Sequence, residues 1–312
     1  MILPDEVRRD VGDALLDLGA GRLVDVTPVS GGCINHGSRL ETTSGRIFFL
    51  KWRSDPPAGM YAAEADGLTA LAKASGMSAP GRSDPRDGIR VPGVVDVATD
   101  DAWLLLDFIP TGTGGDGTDE ALGKGLAAIH SAPTIEATFG WGRDNWIGSL
   151  PQRNPPTDRW SSFWRDTRIE PQLQRARAGG HFSSRSDGSL QMDRLLDVIA
   201  PALDDVDTPG LVHGDLWSGN AFADPSGRPV LIDPAVYRGD GEVDLAMTEL
   251  FGGFGMRFYD AYHDVRSISD AYHAYRRDLY QLYYLLVHVN LFGGSYVAGS
   301  LRVAERVLGA LL

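Results

Sequence analysis

The chain has 312 residues, of which 43% are hydrophobic and 23% are charged, and its formal net charge is −13. This length suits one large domain or two modest domains of a globular protein. The negative charge argues against nucleic-acid binding, which needs a basic surface to neutralise phosphates. It is compatible with a cationic or amine-bearing ligand, although net charge mainly sets solubility and identifies no ligand.

The sequence also indicates where in the cell the protein is expected to occur. Its longest apolar runs, such as residues 282–289, are too short to cross a bilayer, and we therefore expect no membrane association. The first residues lack the basic and apolar regions of a secretory signal. A single cysteine, Cys33, excludes an intramolecular disulfide framework. Together these features predict a cytoplasmic protein.

The first third of the chain predicts a small β-rich lobe. Apolar spacing predicts one helix over residues 5–18 and a second over residues 62–73. Glycine-containing breaks separate runs that are rich in β-branched and aromatic residues. These runs predict five strands, at residues 23–30, 34–41, 46–52, 90–97 and 102–109. We therefore predict that residues 1–106 form an antiparallel sheet with a helix packed on it.

From residue 119 onward the helical periodicity dominates. The predicted helices cover residues 119–130, 158–176, 190–203, 244–251, 268–289 and 296–311. Short strands are predicted at residues 221–223 and 229–232, and residues 179–188 have the composition of a loop. The predicted fold class is therefore α+β and bilobal, with a small antiparallel β lobe over residues 1–106 and a larger, mainly helical lobe over residues 107–312.

The most informative motif lies between two of these helices. Residues 213–220 read His-Gly-Asp-Leu-Trp-Ser-Gly-Asn, and Asp233 follows at the end of an apolar run. The spacing of Asp215, Asn220 and Asp233 is typical of the catalytic loop and metal aspartate in protein-kinase-like phosphotransferases. We predict Asp215 as the base that accepts the proton of an attacking hydroxyl. Asn220 and Asp233 offer hard oxygen ligands to Mg²⁺, whereas His213 is expected to organise the loop backbone.

Two upstream features predict an ATP site. Lys51 closes an apolar strand, and Glu64 follows in the next predicted helix. A strand lysine that binds phosphates and pairs with a helix glutamate is the kinase arrangement, although either residue alone would be an ordinary surface group. Gly31, Gly32 and Cys33 lie between two strands, where glycines allow backbone N–H groups to approach phosphate. By itself, the Gly-Gly pair would be only a hairpin turn.

Asp107, Phe108 and Ile109 end the predicted β lobe, where a bilobal kinase binds adenine through the backbone of its hinge. The alternative for this segment is a buried strand end. Residues 112–117 satisfy G-x-G-x-x-G, but no βαβ unit surrounds them, and we interpret them as a flexible linker between the lobes. The histidines do not share a metal-ligand spacing, and His288 is predicted to be an ordinary helix residue.

These motifs together resemble the fructosamine kinases (ketosamine-3-kinases), which are relatives of the aminoglycoside and choline phosphotransferases within the protein-kinase-like fold. The resemblance covers nearly the whole chain. Two features separate it from protein kinases, because Asp233-Pro234-Ala235 replaces Asp-Phe-Gly and no Ala-Pro-Glu segment is recognisable. Asp107-Phe108 stands where relatives often carry Glu-Tyr. The matching segments are residues 30–35, 49–51, 139–148, 213–220, 232–237, 241–247 and 249–254.

The resemblance implies ATP- and Mg²⁺-dependent phosphorylation of the sugar 3-hydroxyl of a fructosamine or ribulosamine. The phosphorylated adduct is then expected to break down, which is a deglycation repair activity. The implied partner is a ketosamine small molecule or a glycated protein amine. Alternatives are a kinase for another small polar molecule, such as an aminoglycoside, and a catalytically silent nucleotide-binding regulator.

Three questions stay open at this point. Trp217 lies between the expected base and metal ligand, where it either stacks on the substrate or packs the loop. Cys33 is either a small residue in a turn or a thiol whose oxidation blocks ATP binding. The protein is either a monomer or a homodimer.

Overall fold

The computed structural model of the protein describes residues 3–29, 36–76, 88–134, 137–182 and 187–312. The predicted glycine loop, with Gly31, Gly32 and Cys33, lies outside these ranges. Within them, the chain forms a sheet flanked by two helices, followed by a larger part that is mainly helical. No helix in the described ranges is both long and apolar enough to cross a membrane.

The N-terminal sheet has five strands in the order β1-β2-β3-β5-β4, and all neighbouring strands are antiparallel. Two of the predicted strand segments are shorter than expected, since residues 90–93 and 108–109 lie outside the strands. The first two helices belong to the same lobe, with α1 at Asp5–Asp17 and α2 at Met60–Gly76. The strands are β1 (Leu23–Val29), β2 (His36–Thr42), β3 (Ile47–Trp52), β4 (Val94–Val97) and β5 (Trp103–Asp107).

Alternation along β5 explains why the sheet is covered on both faces. Successive strand residues point to opposite faces, so Trp103 and Leu105 share one face while Leu104 and Leu106 share the other. Trp103 and Leu105 belong to the apolar cluster that includes the buried residues of α1. Leu104 and Leu106 belong to the cluster that includes Tyr61 and other residues of α2. The sheet therefore holds α2 on a defined face.

The rest of the chain packs around one large apolar core that contains the buried residues of its helices. Three two-stranded ribbons interrupt the helices: β6 with β7, β8 with β11, and β9 with β10. The strands are β6 (Asn145–Ile147), β7 (Leu150–Gln152), β8 (Gly210–Val212), β9 (Ala221–Ala223), β10 (Pro229–Leu231) and β11 (Tyr237–Gly239). The helices are α3 (Asp116–His130), α4 (Trp160–Phe163), α5 (Glu170–Ala178), α6 (Asp187–Leu203), α7 (Glu242–Leu250), α8 (Met256–Val265), α9 (Arg277–Phe292) and α10 (Val297–Leu311).

Several boundaries differ from the sequence-based predictions for local reasons. The predicted helix over residues 158–176 is divided by a π-helical turn between α4 and α5, and a second π-helical turn precedes α9. The sequence did not predict α8, which follows a glycine-rich segment. Its Phe258 and Tyr262 are buried against α3, where a Cβ at Gly123 would lie 2.2 Å from the Phe258 carbonyl oxygen. Close helix packing at Gly123 therefore stabilises α8.

The sequence predicts that residues 112–117 form a flexible linker between the lobes, but the structure shows close backbone contacts in this segment. The backbone N–H of Gly112 donates to the Ala223 carbonyl at 2.7 Å. A Cβ at Gly112 would lie 2.3 Å from the Asp224 carbonyl oxygen, so only glycine fits there without a backbone shift. The last two residues of the predicted linker, Asp116 and Gly117, belong to α3. The segment is thus anchored to the ribbon that follows the catalytic motif.

Candidate active site

The predicted catalytic loop connects β8 to β9 and is held by close backbone packing. Gly214 has a φ of 81°, and a Cβ there would lie 2.2 Å from the Ala235 carbonyl oxygen. Glycine is therefore required both for the left-handed backbone and for the approach to Ala235. The Ala235 N–H also donates to the His213 carbonyl at 2.9 Å. These contacts attach the loop to the segment that follows Asp233.

Asp244 of α7 anchors the backbone of the same loop. Its two carboxylate oxygens accept hydrogen bonds from the backbone N–H groups of His213 and Gly214, at 2.7 and 2.8 Å. His130 Nε2 lies 2.9 Å from the same carboxylate, and Asp244 has no solvent exposure. Burial alone would raise the pKa of Asp244, but the hydrogen bonds and charge of its partners hold the pKa below its ordinary value. The spacing of the sequence motifs indicates no role for Asp244.

His213 contributes to the loop as a neutral ring. Its Nε2 lies 2.9 Å from the Ile232 carbonyl, which can only accept, so Nε2 carries the proton. Nδ1 is then free to accept from the Asp215 backbone N–H, at 3.3 Å. Burial lowers the pKa of His213, which favours this neutral form. The expected role of His213 in organising the loop backbone agrees with this geometry.

The structure brings Asp215, Asn220 and Asp233 together. The Asn220 amide nitrogen donates to the Asp215 carbonyl at 2.8 Å and lies 3.4 Å from its carboxylate. The same nitrogen lies 3.5 Å from the Asp233 carbonyl. Asp233 has a φ of 55°, a left-handed conformation that aspartate tolerates better than most residues. The Asn220 side chain thus lies between the backbone of Asp215 and the backbone of Asp233.

The half-buried Asp215 has unusual electrostatic surroundings. Burial, followed by the negative charge of Asp233, raises the pKa of Asp215 to about 7. The hydrogen bond from Asn220 and the charge of Lys51 oppose this rise. A carboxylate with a pKa near neutrality is well matched to accepting a proton from a hydroxyl group.

Lys51 of β3 joins the two lobes. Its Nζ lies 2.6 Å from Glu64 Oε1 in α2 and 3.0 Å from Asp233 Oδ1. The Lys51 side chain is only 6% exposed, so the ammonium group is held between two carboxylates rather than in solvent. Burial by itself would lower the pKa of Lys51, but Asp233 and Glu64 outweigh it and raise the pKa. The lysine–glutamate pair expected from the sequence is present.

Two contacts fix the position of α2, and therefore of Glu64, against the helical lobe. Gly67 faces the segment after Asp233, and a Cβ there would lie 3.1 Å from the Val236 side chain. At the preceding residue, Asp66 Oδ2 accepts a hydrogen bond from the Trp141 indole at 2.6 Å. The Arg238 guanidinium lies 5.3 Å from the centre of the Trp141 ring. The block at residues 139–148 thus contacts the glutamate-bearing helix.

Buried amides in this block and in the residues just after it hold the surrounding backbone, including the chain that follows Asp233. Asn145 Nδ2 donates to the Val236 carbonyl at 2.8 Å, and Gln152 Nε2 donates to the Ala235 carbonyl at 3.2 Å. Asn154 Oδ1 accepts from the fully buried Arg168 at 2.6 Å. Buried amides that are satisfied in this way specify one backbone conformation. The sequence identified this block only by its resemblance to a family.

The remaining predicted site residues in the described part of the chain are the segment expected to bind adenine and Trp217. Asp107 ends β5, and its N–H donates to the Gly93 carbonyl at 2.9 Å. Phe108 is half-buried near Arg39, and Ile109 is buried. Trp217 is half-buried with its ring over Gly219, an arrangement that leaves both packing and substrate stacking open.

The donors present suit Mg²⁺ held together with phosphates. Asn220 uses its amide nitrogen to bind the Asp215 carbonyl, so its amide oxygen is the atom that would ligate a cation, and the Asp233 carboxylate is 36% exposed. Across the described ranges, no group of three or more His, Cys, Asp or Glu residues is arranged to hold a metal. A set this small fits Mg²⁺, which keeps waters and substrate phosphates among its ligands.

Comparison with known proteins identifies the family. A family model described as fructosamine kinase matches residues 17–310. The chain is 40% identical over 290 residues to a probable ketoamine kinase of Synechocystis sp., covering 92% of this chain and 91% of the relative. It is 35% identical over 295 residues to a chloroplastic protein-ribulosamine 3-kinase of Arabidopsis thaliana, covering 94% of this chain and 85% of the relative.

Solved structures agree with this result. A Thermobifida fusca protein that is provisionally named a fructosamine-3-kinase has a TM-score of 0.82 and 32% identity, with 96% of this chain and 98% of that chain covered. An aminoglycoside phosphotransferase in complex with ADP and hygromycin B has a TM-score of 0.60 and 15% identity, with 98% of each chain covered, a likeness that concerns the fold alone. The predicted bilobal, protein-kinase-like fold is confirmed, and the chain belongs to the fructosamine kinase family.

Proposed function

We propose that this phosphotransferase uses ATP and Mg²⁺ to phosphorylate a ketosamine, a fructosamine or ribulosamine, on the 3-hydroxyl of its sugar. The observation that carries the proposal is the convergence of Lys51, Glu64 and Asp233 beside Asp215 and Asn220. Membership of the fructosamine kinase family supports the choice of a ketosamine over other acceptors. The named relatives include both ketoamine and ribulosamine kinases, so the sugar is stated as a class.

Asp215 is the catalytic residue in this proposal. It accepts the proton of the sugar hydroxyl as the hydroxyl oxygen attacks the γ-phosphate, for which its raised pKa is suited. Its carboxylate is oriented by Asn220, and the backbone beneath it is held by Asp244. A fixed base beside a fixed acceptor supplies the positioning on which phosphoryl transfer depends.

Lys51 binds the phosphates of ATP, and Glu64 keeps the ammonium group oriented toward them. Asn220 and Asp233 hold Mg²⁺, which neutralises charge on the transferred phosphate when it is bound. Asp107, Phe108 and Ile109 are proposed to bind adenine, and Gly31, Gly32 and Cys33 to cover the phosphates. These six residues stay predictions from the sequence.

The expected consequence of 3-phosphorylation is breakdown of the adduct and release of the amine, which is a deglycation repair activity. The carrier of the sugar is either a small amine or an amine of a glycated protein. The oligomeric state, monomer or homodimer, and redox sensitivity at Cys33 stay open. We further propose that the protein acts in the cytoplasm; immunofluorescence or cell fractionation tests this directly.

A substrate panel tests the proposal. The purified protein is given MgATP with fructosyl-lysine, ribulosyl-lysine or an aminoglycoside, and ADP release is measured together with the position of the new phosphate by NMR. We expect turnover of at least one of the two ketosamines, with phosphate on the 3-hydroxyl. Turnover of the aminoglycoside alone would replace the proposed substrate class. ATP binding without product from any acceptor would instead favour a silent regulator.

A further inference from the structure

Beside the catalytic loop lies a group of aromatic side chains that the proposed chemistry does not use. We call this group the aromatic cluster; it consists of His288 and the three rings that contact it, those of Phe251, Phe292 and Tyr296. The His288 ring centre lies 4.9, 5.3 and 5.0 Å from those of Phe251, Phe292 and Tyr296. Phe251 and Phe292 are nevertheless 44% and 52% exposed. Exposed aromatic surface of this kind is uncommon unless it binds something.

The cluster is connected to the catalytic loop from two directions. Two residues after Phe251, a Cβ at Gly253 would lie 2.5 Å from the Ser218 side chain, so this segment touches the loop. On α9, Tyr284 donates from its hydroxyl to the Gly214 carbonyl at 2.9 Å. Tyr284, His288 and Phe292 are each four residues apart, and such residues share one face of a helix. The cluster therefore begins about one helical turn, roughly 6 Å, beyond the loop contact.

His288 gives the cluster one polar atom. Its Nδ1 lies 2.7 Å from the Tyr284 carbonyl, which can only accept, so Nδ1 carries a proton. Burial lowers the pKa of His288, which favours the neutral ring and leaves a lone pair on Nε2. The aromatic cluster therefore offers two kinds of contact. Its aromatic rings supply π faces, and the neutral imidazole supplies a hydrogen-bond acceptor. This combination suits an alkylammonium group better than an anion.

We infer that the aromatic cluster is the subsite for the amine-bearing part of the substrate, a protonated secondary alkylamine with its apolar chain. The inference rests on the proposed function, since a ketosamine carries its amine only a few bonds from the hydroxyl that Asp215 would deprotonate. The sugar then occupies the space beside the loop, and the amine carrier extends over Phe251 and Phe292.

The test compares two ketosamines that share one sugar, one formed on methylamine and one on the ε-amine of a lysine peptide. The measured quantity is the ratio of kcat/KM for the lysine adduct to that for the methylamine adduct. We expect Phe251→Ala and Phe292→Ala each to lower this ratio roughly 3- to 30-fold, as loss of apolar contact with the lysine side chain would. Loss of the cation–π contact should lower kcat/KM for both adducts, because both carry the protonated secondary amine. Phe292→Leu keeps the apolar contact but lacks the π face, so it should lower kcat/KM for both adducts and change the ratio little.

Leu190→Ala is the matched control, because Leu190 is 62% exposed on α6 and outside the cluster; its ratio should equal that of the parent protein. An unchanged ratio in both alanine variants would overturn the inference while leaving the proposed function intact. If the parent protein phosphorylates neither ketosamine, the proposed function fails and this inference fails with it. Sedimentation completes the test: a dimer that the double alanine variant dissociates would assign the cluster to a second copy and overturn the inference.

Discussion

Asp215 and Asp233 are two carboxylates of one site with different surroundings. Asp233 is paired with the Lys51 ammonium group, whereas Asp215 is partly desolvated and faces the neutral amide of Asn220. We therefore expect Asp215, whose pKa is raised to about 7, to act as the base, and Asp233 to act as the metal ligand. The two proposed roles follow from environment and not from residue type.

Asp215→Asn tests the role of the base. Asparagine has the same shape but cannot accept the proton, so we expect kcat with a good ketosamine substrate to fall by roughly 10²–10⁴-fold. Nucleotide affinity should change little, because Lys51 and Asp233 are untouched; equilibrium binding of ATP measures this. A kcat equal to that of the parent protein would remove Asp215 from the proton transfer.

Asp244→Asn tests the anchor of the loop through its pH dependence. The pKa of Asp244 is depressed in the folded state, so its carboxylate stabilises the fold above the unfolded-state pKa of about 4. That contribution is lost as the pH falls through the lower, folded-state pKa. An asparagine cannot accept from both backbone N–H groups of His213 and Gly214. We expect a loss of about 1–3 kcal/mol in the free energy of unfolding at pH 7.

Urea denaturation of both proteins between pH 2 and 7 provides the measurement. The difference between the parent protein and Asp244→Asn should shrink on acidification, since the parent then loses the same contribution. A difference that stays constant over this range would show that the charge of Asp244 does not act in the way described.

At the level of secondary-structure elements, the position of α2 governs the site, because this helix carries Glu64 and faces Asp233 through Gly67. The sheet covers one side of α2, and the block at residues 139–148 holds the other side. We therefore expect the contact between Trp141 and Asp66 to affect ATP affinity without touching the nucleotide.

Trp141→Phe removes the indole N–H that binds Asp66. A hydrogen bond of this type contributes on the order of 1 kcal/mol, so the KM for ATP should rise about fivefold while kcat changes less. Asp66→Ala should have the same effect, and the double variant should be no worse than either single variant, because both remove one interaction. Fully additive effects in this double-mutant cycle would contradict the proposed coupling.

For the whole molecule, MgATP is expected to bind across both lobes, and binding to the folded state alone stabilises it. At a concentration of 100 Kd this amounts to about 2.7 kcal/mol, which should raise Tm by roughly 5 °C. Lys51→Met should abolish most of that rise, since Lys51 contacts elements of both lobes.

Lys73→Met is the control for charge, because Lys73 is exposed on the last turn of the same helix α2; its nucleotide-induced rise in Tm should match that of the parent protein. Differential scanning calorimetry with and without MgATP measures both variants. An equal rise in Lys51→Met would show that Lys51 does not bind the nucleotide.

The sequence by itself determined the features that depend on local order. Strand alternation and helical periodicity predicted the two-lobe α+β fold, and the spacing of Asp215, Asn220 and Asp233 predicted which residues converge. The pairing of Lys51 with Glu64 followed from one strand and the next helix, and the structure contains that ion pair at 2.6 Å. Such features can be predicted from the sequence because the elements involved are neighbours along the chain, and the geometry of neighbouring elements fixes the contact between them.

Only the tertiary structure decided the contacts between distant segments. Asp244 meets the catalytic loop from a separate helix, and Asn145 reaches the Val236 carbonyl across 91 residues of sequence. The aromatic cluster joins the end of α7 to the face of α9, so His288, an ordinary helix residue by sequence, lies beside the site. Helix α8 packs closely on α3 at Gly123. Such contacts depend on how distant elements pack together, and the spacing of residues along the chain does not predict that packing.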